Sequence, residues 1–98
     1  MAEMRKDGDK EYLLRVEKVV QISPFLKTEE IYRETFDTLD ELGQALKELK
    51  SEEANHEGKF ENQAWYKYYL RKAHPRFSWD WTTLNTEEDN SVRKIVGN

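Results

Sequence analysis

The sequence predicts a small α+β domain, an antiparallel sheet built in the order β-β-α-β-β with one amphipathic helix packed on one face and a short helix closing the chain. Three observations carry this expectation. Apolar residues recur at every second position near both ends of the chain, leucines recur every third or fourth position between them, and turn residues separate the stretches. A length of 98 residues suits one hydrophobic core, able to hide roughly 60–65% of the surface its unfolded chain exposes.

Met1 to Lys10 is polar, contains Gly8 and follows neither period, so residues 1–10 are expected to form a flexible leader to a single domain spanning 11–98. From Glu11 to Ile22, Tyr12, Leu14, Val16, Val20 and Ile22 alternate, and the stiff branched side chains among them favour a pleated backbone. Leu13 and Val19 fall on the other face, which is therefore expected to be partly covered. Pro24 lacks the N–H that a strand ladder needs and ends the run. A weaker strand is expected between Thr28 and Phe36, with Tyr32 and Phe36 sharing a face with Thr28, Glu30 and Glu34.

Thr38 followed by Glu41 has the form of a capping box and should open a helix. Leu39, Leu42, Leu46 and Leu49 then give it an apolar stripe. Gly43 weakens such a helix by about 1 kcal/mol relative to Ala, so it is either a tolerated defect or the mark of a close contact. The helix should run to about Glu53.

Asn62 to Ala73 can be read with either period: as a helix its Trp65, Tyr66, Tyr68, Tyr69 and Leu70 scatter round most of the circle, and the strand is preferred, with Ala64, Tyr66, Tyr68 and Leu70 on one face and Trp65, Lys67, Tyr69 and Arg71 on the other. His74-Pro75-Arg76 reads as a turn. Phe77, Trp79 and Trp81 alternate with Ser78, Asp80 and Thr82, which predicts the second arm of a hairpin. Thr86 to Asp89 is expected to open a marginal terminal helix carrying Val92, Ile95 and Val96.

Composition narrows the function. The absence of Cys removes thiolate nucleophiles, disulfides and Cys-ligated metals, and suits a reducing compartment such as the cytoplasm. No apolar stretch has the length of a signal-peptide core or a membrane span. The net charge of −4 disfavours a duplex nucleic-acid binder driven by bulk charge. The charge is also polarised. Between Thr28 and Glu57 the acids Glu29, Glu30, Glu34, Asp37, Asp40, Glu41, Glu48, Glu52, Glu53 and Glu57 face only Arg33, Lys47 and Lys50, whereas Asn62 to Arg76 holds Lys67, Arg71, Lys72 and Arg76 and no acid.

Catalytic signatures are lacking. The four glycines lie too far apart to cradle a phosphate, and no nucleophile-elbow or zinc-protease motif occurs. His56 lies one turn beyond Glu52 and Glu53, a metal-compatible spacing, but a lone imidazole there and His74 at a turn read as ordinary surface histidines. No enzyme, metal or cofactor is expected. Small size, high charge and missing catalytic parts form a compositional profile shared by many viral and bacterial regulators.

The strongest anomaly is residues 65–81, which hold all three Trp, three of the five Tyr and four cations. Much of that aromatic surface should be core, since a small domain depends on burying its largest rings. The outward row Trp65, Lys67, Tyr69 and Arg71, with Arg76 beyond it, has the composition of an interface hot spot. A second candidate surface is the acidic helix, with Glu41, Glu48, Glu52 and Glu53 poised to steer a basic partner. The expectation is therefore a non-enzymatic protein-binding module, a small regulator or inhibitor of a larger protein. The alternative is single-stranded nucleic-acid binding through residues 65–81, with bases on the rings and phosphates on Lys67, Arg71, Lys72 and Arg76.

Overall fold

The computed structural model describes residues 4–22, 24–55 and 63–97. Among these residues the chain forms β1 (Tyr12–Ile22), β2 (Phe25–Phe36), α1 (Leu39–Asn55), β3 (Gln63–Ala73), β4 (Trp81–Thr83) and α2 (Thr86–Val96). The strands make one antiparallel sheet in the order β2-β1-β3-β4, with both helices on one of its faces. The α+β architecture expected from the sequence is the one observed, and His56 lies outside the described residues.

Strand β1 is the centre of the molecule because it is apolar on both sides. Leu14 and Val16 point to the helices and are fully buried with Leu42, Leu46 and Val92. Leu13 and Val19, on the opposite side, are buried as well. Tyr32, Phe36, Tyr66, Tyr68 and Leu70 from the flanking strands pack round the helix-side cluster.

Two strand expectations need correction. β2 starts at Phe25 rather than Thr28, and it carries a bulge: Val16 pairs with Tyr32 but Glu17 pairs with Glu30, leaving Ile31 as an extra residue. The slip keeps Tyr32, Glu34 and Phe36 on the helix side and sends Thr28 and Glu30 to the other, so the five do not share a face. The last strand is shorter than its alternation suggests. Only Trp81 to Thr83 pair with β3, because His74 donates its N–H to the Asp80 carbonyl at 3.1 Å and Asp80 donates to the Phe77 carbonyl at 3.1 Å, which folds residues 74–80 into a loop.

Helix α1 begins as expected. The Glu41 N–H donates to Thr38 Oγ1 at 3.2 Å, and the Thr38 hydroxyl donates to the Glu41 carboxylate at 3.2 Å. Gly43 is buried and marks a close contact. A Cβ placed there would stand 2.8 Å from Cδ1 of Ile95 on α2.

Helix α2 is better specified than its sequence suggests, because the cap is Asn85, one residue before the expected start. Its side chain accepts the Glu88 N–H at 2.9 Å, and the Glu88 carboxylate accepts the Asn85 N–H at 3.0 Å. Such a cap contributes about 1 kcal/mol. Glu87, Glu88 and Asp89 sit at the positive end of the helix dipole, Arg93 and Lys94 at the negative end, and Gly97 closes it in the left-handed region at φ 97°.

Residues 4–10, expected to be a flexible leader, lie against the domain. Met4 bridges to Asp80, the Arg5 N–H donates to the Trp79 carbonyl at 2.9 Å, and Asp9 pairs with Arg33 at 2.9 Å. These contacts carry the segment from the β4 side of the sheet to β2, across the end where Leu13 is buried. The Arg33 guanidinium holds the Asp9 carboxyl below its ordinary value of 3.8. A carboxyl whose folded-state pKa is lowered contributes stability that is complete above the ordinary value and is lost as pH falls through the lowered one. As pH falls below about 4 the clasp is expected to weaken, and the leader to detach once pH has passed the lowered value, with amide exchange at residues 5–10 rising before global unfolding. Asp9→Asn should show that fast exchange already at neutral pH, and equal protection in both proteins would refute the clasp.

Candidate functional site

The face of the sheet turned away from the helices carries the outward row read from the sequence. Register and alternation place Trp65, Lys67, Tyr69 and Arg71 of β3 beside Leu13, Arg15, Glu17 and Val19 of β1. Trp65 is 36% exposed and Lys67 is exposed, while Tyr69 and Arg71 are half-buried. Their helix-side neighbours Tyr66, Tyr68 and Leu70 pack on the core, as expected.

The middle of this row, at Tyr69, is held in place by its neighbours. The Tyr69 ring has the Arg15 guanidinium 4.2 Å and the Arg71 guanidinium 5.4 Å from its centroid. Its hydroxyl donates to Glu17 at 3.0 Å, and Glu17 also accepts from Arg15 at 2.8 Å. The Arg15 hydrogen bond holds the Glu17 carboxyl below its usual range, with the Tyr69 hydroxyl adding to it. Burial, and then Glu17, pushes the Tyr69 hydroxyl up, so it remains a donor. Arg15 also reaches Glu30 on β2 at 3.7 Å. The result is a preset surface of mixed charge around two aromatic rings.

The acidic helix is less available than its sequence suggests. Glu53 turns inward, where its carboxylate accepts the Tyr66 N–H at 2.9 Å and the Tyr68 hydroxyl at 2.7 Å, tying the end of α1 to β3. Burial, reinforced by Glu53, drives the Tyr68 pKa upward. Glu41 is engaged at the helix cap, and Glu48 and Glu52 remain exposed.

The four cations proposed to follow a phosphate chain do not form one track. Lys67 and Arg71 lie on the open face, Lys72 points to the helix side and pairs with Glu88 at 2.8 Å, and Arg76 stands in the loop after β3. Burial opposes the Glu88 charge, but Lys72 and the Asn85 N–H more than offset it and lower its pKa.

Sequence reasoning missed a second feature, the loop that joins β3 to β4. His74 Nδ1 accepts the N–H groups of Arg76 at 3.0 Å and Phe77 at 3.2 Å, which fixes the turn. The His74 and Phe77 rings meet at 4.8 Å and the Phe77 and Trp79 rings at 5.1 Å. Trp81 is buried instead, beneath the Arg5 guanidinium. The only available signal for this loop was the His-Pro turn, since strand alternation and ring stacking share the same spacing at residues 77 and 79.

No group of His, Cys, Asp and Glu among the described residues is arranged to hold a metal ion, and no helix among them is long and apolar enough to cross a membrane. No family model matches the chain, and neither does any curated protein or solved structure.

Proposed function

We propose that this chain is a non-enzymatic protein-binding module, a small cytoplasmic regulator of a larger partner, and that it engages that partner through the open face of its sheet. The observation that supports this most is the outward row of Trp65, Lys67, Tyr69 and Arg71, in which Tyr69 is locked between arginines and Glu17. Side chains already fixed by ion pairs and ring contacts lose little freedom on binding, which favours affinity. Glu17 and Glu30 stand among the cations, and alternating charge of this kind suits a protein surface better than a run of phosphates. Two arginines already lie against the Tyr69 ring, at 4.2 Å and 5.4 Å from its centroid, and a stacking nucleobase would have to compete with them. The cysteine-free composition supports the cytoplasmic setting.

The test is a native pull-down with the unaltered chain and two variants of matched stability. A Trp65→Ala, Lys67→Glu variant of the open face should lose the captured partner, with affinity falling about 30-fold or more for a hot spot worth roughly 2 kcal/mol. A Glu48→Lys, Glu52→Lys variant of α1 should keep it. Retention by the open-face variant would overturn the assignment.

A further inference from the structure

We propose that the cleft at the Tyr12 end of the sheet, together with the aromatic loop beside it, binds single-stranded nucleic acid, with a phosphate held by Arg5 and Arg76 and a base stacked on Trp79. This site is separate from the open sheet face and does not depend on what that face binds.

The cleft has a volume of about 460 Å³ and lies between the leader, the start of β1, the end of β3 and the following loop. Its charged lining is Arg5, Lys72 and Arg76 against Glu11 and Glu88. Lys72 and Glu88 neutralise each other. Arg5 and Arg76 differ from Arg15, Arg33 and Arg93, each of which has a carboxylate partner, because among the described residues neither has one. Arg5 is nonetheless fixed. Its guanidinium lies 5.2 Å from the centroid of the Trp81 ring and donates once, to the Ser78 carbonyl at 3.2 Å, while its Nε has no acceptor. With Lys72 and Glu88 paired, two arginines without a carboxylate partner among the described residues stand against Glu11 alone. A positioned guanidinium with unused donors beside a second one is suited to an oxyanion with several acceptor oxygens, which phosphate supplies.

The same loop provides the stacking surface. Its backbone anchors Arg5 through the Trp79 carbonyl, so cation and rings are held in one unit. His74, Phe77 and Trp79 form a row tilted by 34° and 37°, and Phe77 and Trp79 remain 43% and 57% exposed. Exposed rings next to cations are the working parts of single-strand binding, where a base stacks for about 1–3 kcal/mol without regard to sequence. An anionic bilayer would meet the same residues. One feature favours the strand: two arginines in a cleft match one phosphate rather than a charged plane.

The experiment is fluorescence anisotropy of a labelled oligothymidylate titrated with the full chain at low salt, with vesicles of phosphatidylserine and phosphatidylcholine as a parallel arm. Saturable binding to the oligonucleotide is expected, weakened at least about fivefold by Trp79→Ala. Its log–log dependence on salt should have a slope of about −0.7, the value for one neutralised phosphate of a single strand, and Arg5→Ala with Arg76→Ala should flatten it. The Trp65→Ala, Lys67→Glu variant should bind the oligonucleotide unchanged, which separates this site from the open face. Thermal melts of every variant matching the unaltered chain keep loss of binding distinct from loss of fold. Absence of oligonucleotide binding, binding indifferent to Trp79 and the two arginines, or binding to vesicles alone would each overturn the proposal.

Discussion

Leu14→Ala is expected to lower the free energy of unfolding by about 2–5 kcal/mol, a large part of the roughly 5–15 kcal/mol that holds a domain of this kind together. Leu14 is fully buried on the central strand and shares one cluster with Val16, Leu42, Leu46 and Val92. Its neighbours belong to β1, α1 and α2, three elements whose spacing is fixed by other contacts, so the space left by three lost carbons cannot readily collapse. Urea denaturation monitored by tryptophan fluorescence would read the effect as a lower midpoint at unchanged slope. A loss under about 1 kcal/mol would mean that the helices are not seated on β1 as described.

Gly43→Val is expected to cost about 1–3 kcal/mol, since overpacking forces neighbours out of their preferred rotamers. The new Cβ would lie 2.8 Å from Cδ1, 2.9 Å from Cγ2 and 3.0 Å from Cβ of Ile95. The first of these atoms can swing away, but Cβ is fixed to the backbone of α2, so the helices themselves must separate. Gly43→Ala carries the same conflict with less bulk, and the gain of about 1 kcal/mol in helix propensity partly offsets it. The two residues should therefore be coupled. With Ile95→Ala in place, Gly43→Ala is expected to be neutral or stabilising, and a double-mutant cycle reads the difference directly. Stabilisation of the unaltered background by Gly43→Ala would rule out the close approach of α1 to α2.

The parts of this fold that could be read from sequence were those where one physical requirement acts alone. β1 alternates because one of its faces meets both helices, and α1 shows a leucine stripe because one side of it meets the sheet. The start of β2 was hidden because Phe25 and Leu26 are 72% and 63% exposed, so no dry face imposes a pattern there. Strand β3 was legible in its facing but ambiguous in its period, since rings occupy both sides: Tyr66 and Tyr68 against the helices, Trp65 and Tyr69 on the open side.

Function was less legible, because charge in a sequence does not reveal its partners. Glu53 resembled its neighbours Glu52 and Glu48, yet two donors of β3 capture it. Lys67, Arg71, Lys72 and Arg76 looked like one basic run, but strand alternation deals them to different sides. The cleft was invisible for another reason. Arg5 and Arg76 are far apart in the chain, and only the return of the leader to the β4 side brings them to one place.

The bulge at Ile31 bears on how the molecule behaves in company. β2 is an outermost strand of twelve residues, the sort of border along which stray chains add themselves. The kink splits that border into two short runs, and Lys27, Glu29, Glu30, Arg33 and Glu34 stud both with alternating charge. A would-be fibril template needs six or seven flat, weakly charged residues in succession. This border offers none, so it is a poor template for a further strand.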